Sequence, residues 1–81
     1  MYINEALEII KKETGLSHQL DLANELKTSQ GTISNYTSGK SYPTLLMASR
    51  VYGKFGLVVE PFTETALKRE WGYVKEKEEE L

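Results

Sequence analysis

The sequence predicts an all-α fold in the main: a small domain of four to five helices with a short edge strand at 57–62 and a helix at its C-terminal end. Three observations carry this expectation. Apolar residues recur at three- and four-residue spacing along most of the chain, as one face of a helix requires. Glycines or short polar breaks fall where each periodic stretch ends. Only Leu57–Val58–Val59–Glu60–Pro61–Phe62 is dense in apolar, β-branched residues, and Pro61 confines such a segment to the edge of a sheet. A helix over Leu57–Glu60 is the competing reading of that segment.

Asn4 is placed to cap a first helix in which Ala6, Leu7 and Ile10 follow the helical period, and Gly15 suits a left-handed residue beyond its end. Leu16 then enters the core, and Ser17 or His18 opens a second helix with Leu22, Ala23 and Leu26 on one face. Lys27–Thr28–Ser29 is a polar break. Thr28 or Ser29 caps a third helix that turns Ile33 and Tyr36 inward and closes at Ser38–Gly39. Past the loop Lys40–Ser41–Tyr42, Pro43 suits the entry to a fourth helix, with Leu45, Leu46, Ala48, Val51, Tyr52 and Phe55 on a broad apolar face and Gly56 as its stop. After Thr63 the period returns at Ala66, Leu67, Trp71 and Val74, is interrupted by Gly72, and fades into a frayed acidic end. The expected organisation is a main segment at 1–56 and a C-terminal extension at 57–81.

Composition narrows the function classes. The 81 residues include no cysteine and one histidine, His18, so neither a disulfide framework nor a thiolate metal site is available and no cofactor or metal is expected. No apolar run approaches the roughly 18 residues of a membrane span, which leads to the expectation of a cytoplasmic protein. No Ser/His/Asp set or metal-ligand cluster is evident, and Gly53–Lys54–Phe55–Gly56 lacks the spacing of a phosphate-binding loop, so an enzyme is not expected. The net charge is −2. Its distribution is uneven: the stretch 27–57 holds Lys27, Lys40, Arg50 and Lys54 with no Asp or Glu, whereas both flanks are acidic. The middle of the chain is the part that suits a polyanion.

The stretch from Gln19 to Lys40 resembles the Cro and phage-repressor helix-turn-helix family, and the resemblance extends from about Leu16 to Pro43 and more loosely over the next helix. Ala23 supplies the small residue needed where two helices pass closely, and Leu22, Leu26, Ile33 and Tyr36 plug the corner between them. The chain departs from the family at the turn, where Lys27 stands in place of the usual Gly and Thr28 in place of an apolar residue. A left-handed conformation at Lys27 would cost about 1 kcal/mol.

The resemblance implies a third helix lying in the major groove of double-stranded DNA, with Gln30, Gly31, Thr32, Ser34 and Asn35 toward the bases. Gln30 and Asn35 carry the amide that pairs with adenine, which points to A·T-containing steps. Phosphate contacts are implied for Gln19, His18, Lys27, Ser29, Lys40, Tyr42 and Thr44. Arg50 and Lys54 fit either phosphate contact or plain surface charge, and His18 fits either a contact or an exposed helix start. The function so implied is a sequence-specific transcriptional regulator of bacterial or phage type, repressor-like, binding a palindromic operator as a homodimer. Two-fold symmetry would place the half-sites about 34 Å apart. The expected dimer element is the C-terminal extension through Val58, Val59, Phe62, Leu67, Trp71 and Val74, although Trp71 fits equally well folded onto its own core. The alternative function is an antitoxin-like or adaptor module whose amphipathic C-terminal helix binds a partner protein.

Overall fold

A computed structural model describes residues 1–79. The fold is all-helical, with α1 at Ile3–Thr14, α2 at Gln19–Glu25, α3 at Gln30–Thr37, α4 at Leu45–Phe55 and α5 at Glu64–Glu79. Contacts divide the chain into two units, one formed by residues 2–42 and the other by residues from Pro43 onward together with Met1. Within the first, α1 and α2 both pack against α3; within the second, α4 packs against α5. Thus α4 groups with the C-terminal helix rather than with the three helices before it.

In the first unit, Ile3, Ala6, Leu7 and Ile10 of α1, Leu22 and Ala23 of α2 with Leu26 just beyond it, and Ile33 and Tyr36 of α3 are buried. These are the residues that helical periodicity selects, plus Ile3. The helix begins two residues earlier than an Asn4 cap would allow, because the Glu5 carboxylate accepts the Tyr2 backbone N–H at 3.3 Å and Ile3 is buried. Gly15 closes α1 at φ 74°, donating its N–H to the Lys11 carbonyl. Ser29 rather than Thr28 caps α3: its Oγ accepts the Thr32 backbone N–H at 3.2 Å.

The second unit begins with Thr44 capping α4 through the Met47 N–H, so the helix starts at Leu45 and Pro43 stands before it rather than in its first turn. Met47, Ala48, Ser49 and Val51 are buried, while Leu45 and Leu46 are exposed and do not join the apolar face. Ser49 is tolerated inside because its hydroxyl donates to the Leu46 carbonyl at 2.8 Å. A helix runs unbroken through Gly72 to Glu79, against the expected interruption and fading. It is capped by Thr63, whose Oγ1 accepts the Ala66 N–H, and near its end Glu78 pairs with Arg50 of α4 at 3.4 Å. The fraying expected for the last residues falls on 80–81, outside the described residues.

The edge strand expected at 57–62 does not form, and no strand exists among the described residues. Residues 57–59 are irregular and residues 60–61 form a turn with a cis Glu60–Pro61 peptide bond. Among the described residues the segment pairs in strand-like fashion with one residue: the Met1 amino group donates to the Val58 carbonyl at 3.1 Å, and the Glu60 N–H donates to the Met1 carbonyl at 2.8 Å. The chain enters the α1 cap at Tyr2, so the ladder has no second residue to continue on.

Candidate nucleic-acid interface

The turn between α2 and α3 is built on the residue that the sequence marked as unusual. Lys27 adopts φ 55°, the one positive φ of a non-glycine residue among the described residues. Its N–H donates to the Asn24 carbonyl at 3.3 Å, and the Thr28 N–H donates to the Ala23 carbonyl at 2.8 Å. This pair of bonds is a Schellman closure, with Lys27 in the left-handed place that glycine usually fills. The same pattern recurs at the end of α3, where Gly39 at φ 75° donates to the Tyr36 carbonyl and Lys40 to the Asn35 carbonyl at 2.9 Å. The C-terminal ends of both helices are therefore fixed by backbone hydrogen bonds, and each closure carries a lysine.

Between these closures α3 shows two faces. Ile33 and Tyr36 are buried; Gln30, Gly31, Ser34 and Asn35 are exposed. Residues 31, 34 and 35 share one side by the spacing of three and four. The exposed face bears two carboxamides, one hydroxyl and no charge. A Cβ built on Gly31 would meet nothing within 4 Å, so the chain's own packing does not require glycine there. Thr32 is half-buried, and its hydroxyl lies 2.8 Å from the Ser29 hydroxyl, which commits both to the cap. Thr32 is thus less available as a base reader than its position suggests, and Ser29 less available for a phosphate. With eight residues, α3 is about 12 Å long at 1.5 Å per residue, and the roughly 10–12 Å diameter of a helix with its side chains suits the roughly 12 Å width of the major groove.

Of the other expected contacts, His18, Lys27, Lys40 and Tyr42 are exposed and Gln19 is half-buried. His18, Gln19 and Gln30 line a shallow depression with Ser17, Leu20 and Asp21. The Asp21 carboxylate is a residue that the sequence reading did not single out, and its charge opposes an anion in that depression. Thr44 belongs to the second unit and caps α4. Arg50 is in that unit too and engages Glu78, so its guanidinium is structural in this conformation rather than displayed. A second depression in the first unit is lined by Tyr2, Ile3, Asn4, Tyr36, Gly39, Ser41 and Tyr42. Tyr2 and Asn4 have no signal in the sequence, because helical periodicity says nothing about which distant loop a helix start will meet.

Three of the six residues expected to dimerise are buried inside the chain. Val59 and Leu67 are 0% exposed and Val74 9% exposed in the single chain, which leaves them no surface to offer a partner. Val58, Phe62 and Trp71 are half-buried. Trp71 lies on Gly53 of α4 so closely that a Cβ there would overlap the indole, the folded-back arrangement rather than the partner-facing one. The edge of 57–62 is also occupied at Val58 and Glu60 by Met1.

No described helix is long and apolar enough to cross a membrane. Compared with known proteins, the chain matches no family model, and no curated protein or solved structure is significantly similar to it.

Proposed function

We propose that the protein is a sequence-specific DNA-binding regulator that places α3 in the major groove and acts as a homodimer on a palindromic operator. The observation that carries this reading is the α2–turn–α3 unit itself: a left-handed closure at Lys27 leads into an eight-residue helix whose outward face is uncharged, rich in hydrogen-bonding groups and bracketed by Lys27 and Lys40. Charged groups at the ends supply sequence-independent affinity, and Gln30, Ser34 and Asn35 supply readout. Gln30 and Asn35 favour adenine, and the absence of Arg and Lys from α3 removes the commonest guanine contact. One such helix covers only a few base pairs, so a second copy is the simple route to useful affinity. The test is selection of bound duplexes from a random-sequence pool with the purified protein. The expected outcome is an A·T-containing palindrome with half-sites about 34 Å apart, accompanied by a dimer mass in light scattering on DNA. A pool that shows no enrichment overturns the reading; enrichment of a single half-site by a monomer overturns the homodimer.

A further inference from the structure

Of the residues lining the depression at the C-terminal end of α3, only Tyr42 figures among the contacts inferred so far, and the start of α1 has no place in them. It joins the start of α1 (Tyr2, Ile3, Asn4) to the loop after α3 (Gly39, Ser41, Tyr42), with the buried Tyr36 between them. Tyr42 is 74% exposed and Tyr2 55% exposed, so both phenols are open to a ligand in solution. Among the described residues, no hydrogen bond engages the side chains of Tyr2, Asn4, Ser41 or Tyr42. The two phenols, the amide and the hydroxyl are thus uncommitted donors around one hollow. Unlike the depression at Ser17–Asp21, this lining itself has no carboxylate, the adjacent Glu5 being engaged by the Tyr2 backbone N–H, and Lys40 lies between two of its members in the chain.

We propose that this hollow is a cradle for one phosphodiester of the DNA strand bordering the groove, so that the first turn of α1 is part of the nucleic-acid interface. The proposal rests on the DNA-binding reading above. The chemistry of the lining is that of neutral donors, with Lys40 adjacent in the chain, and neutral side-chain donors commonly hold phosphate oxygens. Size points the same way: about 230 Å³ accommodates a phosphodiester with part of its sugar and falls below the roughly 300–1,000 Å³ of small-molecule pockets. Position agrees as well: Lys40 and Tyr42, for which phosphate contacts are implied, belong to the loop that borders the hollow at the C-terminal end of α3.

The double variant Tyr2→Phe/Tyr42→Phe removes both hydroxyls and keeps both rings, and neither residue is buried. Binding to the duplex recovered by selection is measured by fluorescence anisotropy over a salt series, with ethylation interference to map phosphates. The expected result is binding weakened roughly tenfold or more, equally for specific and random duplexes, with the salt dependence unchanged because no charge is lost. One interfering phosphate per half-site disappears from the map. If wild-type protein binds and the double variant binds as tightly with the same map, the cradle serves another ligand and the proposal is overturned while the DNA reading stands. If wild-type protein binds no duplex, both fall.

Discussion

Replacing Lys27 with glycine should stabilise the protein, and replacing it with alanine should not. At φ 55°, Lys27 holds a conformation that brings its Cβ toward the following carbonyl and costs an L-residue roughly 1–2 kcal/mol. Glycine escapes that penalty but loses more chain entropy on folding, about 0.5–1 kcal/mol relative to alanine. The net gain of Lys27→Gly over Lys27→Ala is therefore on the order of 0.5–1 kcal/mol. In a helix interior the same comparison favours alanine by about 1 kcal/mol, so the sign itself is diagnostic.

The alanine variant is the necessary reference because the Lys27 side chain has its own interactions, and both substitutions delete them equally. For a chain of 81 residues the expected difference is about 2–8 °C in Tm. It should equally appear as a higher urea midpoint at unchanged slope. If the alanine variant proves as stable as the glycine variant, or more so, the turn in solution is not left-handed at Lys27. The Schellman closure joining α2 to α3 would then be wrong.

Ser29→Ala removes the cap of α3 and should cost about 1 kcal/mol in urea unfolding, whereas Ser29→Asp should retain most of the stability. Gly53→Ala drives a methyl into the Trp71 indole and should destabilise by about 1–3 kcal/mol, with a shifted tryptophan emission reporting the displaced ring. Asp21→Asn removes the carboxylate from the depression at His18 and Gln30; on the DNA-binding reading, affinity for random duplexes at low salt should rise several-fold and the salt slope steepen, as anisotropy can measure.

How far the sequence alone could go depends on what each signal encodes. Periodicity identified every helix and most buried positions, since burial on one face leaves a regular trace: Leu22, Leu26, Ile33 and Tyr36 are all inside. It could not say what covers a stripe. Val59, Leu67 and Val74 look the same whether buried by their own chain or by a second copy, and here the chain itself buries them. Nor could it show that Leu45 and Leu46 stay exposed, because the first turn of α4 offers apolar residues in every direction from Leu45 to Ala48. The Lys27 turn was legible for a different reason. A lysine at a position where its surroundings call for glycine marks either a different turn or a strained one, and the strained one is found.

The cradle at Tyr2 and Tyr42 marks the opposite limit, where residues far apart in sequence meet without any periodic trace. What relates it to the rest of the interface is the way the backbone positions charge. Lys27 follows α2 and Lys40 follows α3, each inside a closure whose N–H groups are held by carbonyls of the preceding helix. A cation just beyond a helix C-terminus is favoured by the partial negative charge there, so each lysine is electrostatically consistent with its place in the free protein. The closures fix where each lysine leaves the backbone at either end of α3. On the proposed reading this separates two tasks: rigid caps set the register of the helix, and the ammonium groups supply affinity without dictating sequence. The strain at Lys27 follows from the same arrangement, since a glycine there would close the turn at lower cost but leave α3 without a cation at its N-terminal approach.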